Sequence, residues 1–322
     1  MPTPQTQEEC IRKRREELKQ YAGRIVCSDN HIMALRSNGT VIAYGKNKHS
    51  QCNVADWRDV SAIACSPSLS IGLTVDRTVL CTNSNGSRYP WKNIVQIVAW
   101  GTCPVGLCAD GTVVTDARKV RDKSFADWRN VTAITSNAGT IYGLMAGRTV
   151  VACGANSYGE CNVMDWKDVV SIAAENETVY GVRKDGRVYA RGRNDFGICS
   201  LESLDSWRDI IDITPEYYNV FGLKSDGSVV YTGFLGSQDV CTWTDIVSVA
   251  CGVGFAAGLK ADGTVVVYGA EGYTPDTSGW RDIVAIVCGN GYVVGLRADG
   301  TVVFSGQAQH GESQIAGRNL FR

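Results

Sequence analysis

Only three histidines occur in 322 residues, and no apolar run approaches the roughly 20 residues that a membrane-crossing helix needs. The formal net charge is −1, which removes bulk electrostatic capture of nucleic acid or of an anionic membrane from the expected functions. The opening MPTPQTQEEC has no signal-peptide apolar region, so the cytoplasm is the expected location. No nucleophile elbow and no phosphate-binding glycine loop is present. His31 has no local nucleophile or acid beside it. His49 and His310 each follow an equivalent glycine (Gly45, Gly306) by four residues, where other segments carry Tyr158 and Phe196, so they mark an aromatic turn position. Neither an enzyme nor a cofactor is expected.

What the sequence has in abundance is itself. WRDIVAIVCGNGYVVGLRADGTVVFSG, from Trp280 to Gly306, returns in variant form after Trp243, Trp207, Trp166, Trp128, Trp91 and Trp57, and without a Trp from Ile25 to Gly45. Self-similarity at a fixed period decides architecture before any local motif does. Each unit holds three short apolar runs rich in Val, Ile, Tyr and Phe, too short for helices, which read as strands. Asn38-Gly39, Asp110-Gly111, Asp185-Gly186, Asp226-Gly227, Asp262-Gly263 and Asp299-Gly300 join the second run to the third, and such dipeptides suit a type I′ hairpin. Asp76-Arg77 and Gly147-Arg148 break that rule, so those two hairpins are expected to be distorted or longer.

Strands apolar on both faces must be covered on both sides, and stacking copies around an axis does so. The fold class predicted is all-β: a β-propeller of eight blades (seven the alternative) over residues 24–322, preceded by a helical extension over 1–23. A fourth strand is expected before each Trp, as in CNVAD and CNVMD, with Cys52 and Cys161 as small packing residues in it. The Trp side chains, each burying on the order of 150–250 Å², are expected to be core wedges. GRNLF, from Gly317 to Phe321, matches the segment at Trp128 with Gly317 in the Trp slot, so the two termini are expected to complete one blade jointly.

The pattern DGxVxxxGxNxxGxC…W+DIVxIxxGxxxxxGLxxDG, with GKNKHSQCNV, GANSYGECNV and GRNDFGICSL at its turns, resembles the repeat of the regulator of chromosome condensation family over about residues 24 to 321. At about 37 residues the units are shorter than those of the eukaryotic founder. They are similar to short bacterial versions such as the propeller-type β-lactamase inhibitor protein. The resemblance implies the propeller. It also raises GTPase exchange or chromatin binding, although nothing here matches the founder's wedge insertion, and function does not follow from fold.

Residues 6 to 22 read as a helix, with Thr6 and Glu9 as a capping box, Gly23 as the C′ residue and Glu8–Arg12 and Glu9–Lys13 as i,i+4 pairs. Ile11, Leu18 and Tyr21 form its apolar stripe against the propeller. Its run Arg12-Lys13-Arg14-Arg15 is interleaved with or flanked by acids, which favours a solvated face over a nucleic-acid patch. Cys27, Cys65, Cys251 and Cys288 share one slot on consecutive blades. That slot also accepts Ala and Ser, so no metal is expected in it.

Loops between first and second strands differ in every unit, whereas the hairpin loops repeat. The varied face is therefore the expected binding face, joined there by the loops 117–123 and 234–238. The expected partner-binding residues are His31, Trp100, Glu175, Glu177, Glu216, Tyr217, Tyr218, Phe255 and Tyr292. These imply a non-catalytic, monomeric propeller that recognises a macromolecule, most simply a protein. A glycan or small-molecule lectin is the alternative from another class, disfavoured because repeated sugar sites would keep the same residues in every loop.

Overall fold

A computed structural model describes residues 4–82, 88–116, 124–137, 139–198, 204–235, 239–270, 272 and 274–322. The basic loop 117–123, residues 236–238 and Ala138 lie outside the described residues. Eight antiparallel sheets follow one another along the chain, and in each the middle strand pairs with both neighbours. We number the blades by their first strands: Ile25–Cys27, Val60–Ser66, Ile94–Trp100, Val131–Ser136, Val169–Glu175, Ile210–Glu216, Ile246–Gly252 and Ile283–Gly289. Each first strand touches the first strands before and after it, and that of blade 8 touches that of blade 1. The first strands are thus the inner wall of a closed eight-bladed ring.

Among the described residues the expected fourth strand is found only in blade 2, as Arg88–Tyr89. Elsewhere among the described residues, turns and short 3-10 segments such as Ser124–Asp127 and Glu312–Ile315 fill its place. The reason lies in the turn motif. Asn47 Oδ1 accepts from the Cys52 amide at 2.8 Å, and Asn156 Oδ1 accepts from the Cys161 amide at 2.9 Å. The buried Gln51 and Glu160 side chains accept from the His49 and Tyr158 amides. Backbone donors held by side chains are not offered to a ladder.

All eight hairpins share one geometry, and it is not type I′. In blade 1 the Arg36 amide donates to Thr40 O at 2.9 Å and the Gly39 amide to Arg36 O at 3.1 Å, with only Gly39 at positive φ. That is a three-residue loop, a type I turn closed by a left-handed residue. Arg77 and Arg148, both at φ 61°, make the same bonds at that position, so their hairpins are neither distorted nor longer. A β-carbon in this conformation costs roughly 1–2 kcal/mol.

Each of the seven Trp that open a repeat is followed two residues later by an Asp or Asn at φ 57° to 62°, from Asp59 to Asp282. Short polar side chains tolerate the left-handed region, which explains the acid or amide of the repeat. The arginine between them ties the corner: Arg58, Arg129, Arg208 and Arg281 each donate to two backbone carbonyls. The indoles lie on the middle strand of the blade they introduce. A β-carbon on Gly72, Gly143, Gly181, Gly222, Gly258 or Gly295 would stand 2.8–3.1 Å from its Trp ring. Blade 1, whose Trp slot holds Gly317, has Ala34 at that strand position instead.

The termini meet as expected. Leu320 donates its amide to Gly300 O of blade 8 at 2.9 Å and accepts from the Ser37 amide of blade 1 at 2.7 Å. Between the other blades the Trp-containing connections do this, as when the Val60 amide donates to Gly39 O.

Helix α1 runs over Pro4–Leu18, so it begins before the Thr6 expected as its cap; Gly23, at φ 71°, follows the 3-10 turn Lys19–Tyr21 that continues it. The ion pairs along it are Arg14–Glu17 and Glu16–Lys19. Ile11 and Leu18 are buried against Val247 and Val284, and Tyr21 stacks on Phe321. The helix therefore lies on the hairpin face of blades 6 to 8, with Gln7 donating to Asp245 at 2.8 Å and Arg15 bound to Asp212 at 3.4 Å.

Candidate functional site

On the face opposite the hairpins, the inner strands end around a funnel of about 450 Å³ at the ring axis. Its wall includes the shared slot, with Cys27, Cys65 and Cys288 joined by Ala99 and Ser136. Burial pushes the Cys27, Cys251 and Cys288 thiols well up, and that of Cys65 to about 12, so all four are neutral thiols. Among the described residues no three His, Cys, Asp or Glu are grouped to hold a metal ion.

Above the thiols the rim is acidic. Asp29 of blade 1, Glu175 of blade 5 and Glu216 of blade 6 all line the mouth. Desolvation, then the charge of Asp29, raises the Glu175 carboxyl to about 7. Desolvation, then the charges of Glu175 and Asp29, raises Glu216 to about 9. Like charges facing one low-dielectric space cannot all ionise.

Both carboxyls have folded pKa values above the ordinary 4.5, so the fold favours their protonated forms. Their contribution to stability is full below about pH 4.5 and is lost as the pH rises through about 7 and then 9. Glu216→Gln keeps the neutral form at every pH. Its melting temperature is expected to match the parent near pH 4.5 and to exceed it by a few degrees at pH 9, a gain on the order of 1–2 kcal/mol. An equal difference at both pH values would show that Glu216 does not carry this strain.

Tyr217 stands over the same mouth. It occupies the tip of a two-residue loop at φ 46°, where a bulky residue is an outlier and where the corresponding loop of blade 3 has Gly101 at φ 55°. Its ring is 38% exposed, and its hydroxyl reaches Asp29 Oδ2 at 3.4 Å, spanning the mouth from blade 6 to blade 1. Beside it, Arg193 stacks between two aromatic rings, its guanidinium 5.4 Å from the Tyr158 centroid and 5.8 Å from that of Tyr218. Glu177, 3.7 Å away, and Asp195 pair with that guanidinium. Tyr158 is 49% and Phe234 64% exposed, and the Phe234 amide donates to Tyr218 O. Tyr158, Arg193, Tyr218, Tyr217 and Phe234 thus form one ridge leading to the acidic mouth.

Of the residues expected on this face, the structure brings Glu175, Glu177, Glu216, Tyr217 and Tyr218 together there. It withdraws His31, Phe255 and Tyr292, which are 0%, 1% and 1% exposed. Each is the first residue of a middle strand, with its side chain turned into the blade packing, and so corrects the reading of it as a loop anchor. The Ser28 and Ser70 hydroxyls hold the two nitrogens of His31 at 2.9 and 2.8 Å, and desolvation lowers its pKa to about 4, so it is neutral. Trp100 is half-buried against the core between blades 3 and 4, with its indole nitrogen buried, and is no exposed anchor either. Arg193 was missed, Tyr158 was read only as an aromatic turn position, and Phe234 only as the start of the loop 234–238 expected on this face. Their common signal is a position within four residues after the glycine that ends an outer strand (Gly154, Gly192 and Gly233), where the chain returns to the same face.

Residues 24–51, blade 1 and part of the connection after it, match the Regulator of chromosome condensation (RCC1) repeat. No curated protein matches the chain by sequence. Among solved structures, the chain is similar to the CRINKLY WD40 ectodomain of the Arabidopsis thaliana receptor kinase ACR4. That match has TM-score 0.58 and 16% identity, over 89% of this chain and 96% of that one. It is also similar to Prp20p from Saccharomyces cerevisiae, with TM-score 0.50 and 17% identity over 92% and 85%. The computationally designed Ika8 protein matches with TM-score 0.53 and 14% identity over 88% and 95%. At such identities the likeness is one of fold.

Proposed function

We propose that this chain, a β-propeller of RCC1-like repeats, is a non-catalytic module that recognises a protein partner through the aromatic ridge and acidic mouth of its variable face. The observation that carries the reading is Tyr217. A bulky ring is held in a left-handed backbone conformation and left exposed, where glycine serves in a sister loop. Strain retained at an exposed position is a mark of function rather than of packing. Exposed tyrosines stacked on an arginine are the composition of interface hot spots. Among the described residues no lysine or arginine lines the mouth to take a nucleic-acid phosphate, which favours protein. Prp20p, whose structure was described together with its binding to Gsp1p and histones, makes a protein partner reasonable for this fold.

Tyr217→Gly separates function from stability. It removes the ring and the strain together, so partner capture by the immobilised protein is expected to weaken about thirtyfold, the equivalent of about 2 kcal/mol. The melting temperature should not fall. Asp262→Ser on the hairpin face is the control and should capture as the parent does. Retained capture by Tyr217→Gly alongside loss in Asp262→Ser would place the interface on the opposite face.

A further inference from the structure

Two charged departures from the repeat meet on the hairpin face. They line a pocket of about 250 Å³ between blade 1, the inner strand of blade 2 and the chain that leaves α1. The first is Arg24, whose carbonyl accepts from the Leu35 amide at 2.8 Å. It therefore stands opposite the Leu of the middle strand, where the other blades have a small or neutral residue: Ala62, Gln96, Ala133, Ser171, Ser248 and Ala285. The exception is Asp212 of blade 6, and Arg15 of α1 answers it at 3.4 Å.

The second departure is at Arg36, the residue that opens the hairpin. In blades 5 to 8 its position holds Arg183, Lys224, Lys260 and Arg297, each two residues before a hairpin aspartate, Asp185, Asp226, Asp262 and Asp299. Arg183 pairs with Asp185 at 3.2 Å. In blade 1 Asn38 takes the place of the aspartate. Its side-chain oxygen accepts from the Thr40 amide at 3.0 Å and hydroxyl at 2.7 Å, the same bonds that Asp262 makes with Thr264. The turn is kept and the charge is gone, so Arg36 retains the cation of the slot without its counter-ion.

No Asp or Glu lines the pocket. Of the carboxylates near it in the chain, Glu17 pairs with Arg14 at 3.3 Å, and Asp59 is exposed outside the lining. The Arg24 guanidinium lies over the Phe321 ring, 5.9 Å from its centroid. Among the described residues neither Arg24 nor Arg36 has a hydrogen bond or an ion pair from its guanidinium. Space is left between them because Gly23 falls where blade 2 has its bulged Ser61, and a β-carbon on Gly23 would meet nothing within 4 Å. The buried Leu35, Val60 and Ile63 form the apolar side of the pocket.

We propose that this pocket binds a phosphoryl group, as inorganic phosphate or as a small phosphate monoester. The planar N–H fork of a guanidinium matches phosphate oxygens. Two such cations without counter-ions answer a group that carries about two negative charges at pH 7. The pocket opens on the hairpin face, so the inference stands without the reading given to the variable face.

The test titrates the full chain, labelled with nitrogen-15, with phenyl phosphate, inorganic phosphate and benzoate in separate NMR experiments. Saturable shifts are expected at the amides of Gly23, Arg24, Arg36, Ser37 and Ser61, with benzoate, a single charge on the same ring, binding about tenfold more weakly than phenyl phosphate. Arg36→Gln should weaken phenyl phosphate by about tenfold, the usual weight of a charge-assisted hydrogen bond. Asn38→Asp should weaken it as much by restoring the carboxylate of the sister hairpins, and should melt no lower than the parent. Arg183→Gln, at the paired position in blade 5, should bind as the parent does. Phenyl phosphate binding tenfold tighter than inorganic phosphate identifies an ester as the ligand and equal affinity identifies the free ion; either upholds the inference. Shifts that do not saturate or that spread over the surface, benzoate binding as tightly as phenyl phosphate, or unchanged binding by Arg36→Gln and Asn38→Asp overturns it.

Discussion

Removing the last ten residues, from Ser313 to Arg322, is expected to lower the melting temperature by about 10 °C or more. The segment supplies Ile315 and Leu320, both 0% exposed. Losing a fully buried aliphatic side chain costs about 2–5 kcal/mol. It also takes the bonds from Gly317 to Val302, from Val302 to Arg318, from Leu320 to Gly300 and from Ser37 to Leu320. These join blade 8 to blade 1, so their loss opens the ring and exposes the edges that closure removes. The total approaches the whole stability of an ordinary domain, about 5–15 kcal/mol. Leu320→Ala isolates one part of it and should cost about 2–5 kcal/mol in chemical denaturation. A truncated chain that melts with the parent would mean that the ring closes through other contacts.

Gly181→Val should destabilise the protein by about 3 kcal/mol or more. A β-carbon at Gly181 meets Trp166 Cζ3 at 2.8 Å and Cε3 at 2.9 Å, and Trp166 is 0% exposed, so the ring has nowhere to move. Trp166→Ala alone should cost about 3–5 kcal/mol through the cavity it leaves. Combined, the two changes should cost clearly less than their sum, because the valine then fills space that the indole vacated. Strict additivity in urea denaturation would show that the glycine answers some other constraint. The chain already contains one such compensated pair, with Gly317 in the Trp slot and Ala34 at the strand position.

The repeat, the eight blades and the closure by GRNLF were legible because each unit solves the same local problem with the same residues. A Trp, a glycine under it, an Asp or Asn at positive φ and a tight hairpin recur wherever a blade must be turned and wedged against the next. The hairpin type was misread because a dipeptide such as Asp-Gly satisfies two turn geometries, and only the strand register selects between them. The fourth strand was misread because an apolar run does not reveal that asparagine, glutamine and glutamate side chains already hold its backbone.

The candidate site was half legible. Variation among the copies located the face, and Glu175, Glu216, Tyr217 and Tyr218 stand on it. Variation did not separate exposed loop tips from the neighbouring middle-strand residues. His31, Phe255 and Tyr292 differ from copy to copy because each fills a differently shaped wedge between blades, and a buried wedge varies as freely as a surface. The sequence by itself determined the ring, its number of blades and which face carries the differences. Only the tertiary structure decided that Asp29, Glu175 and Glu216 share one desolvated mouth. It likewise decided that Arg193 lies between Tyr158 and Tyr218, and that α1 lies on blades 6 to 8. Each of these depends on distances between blades far apart in the chain, set by closure of the ring and not by any local pattern.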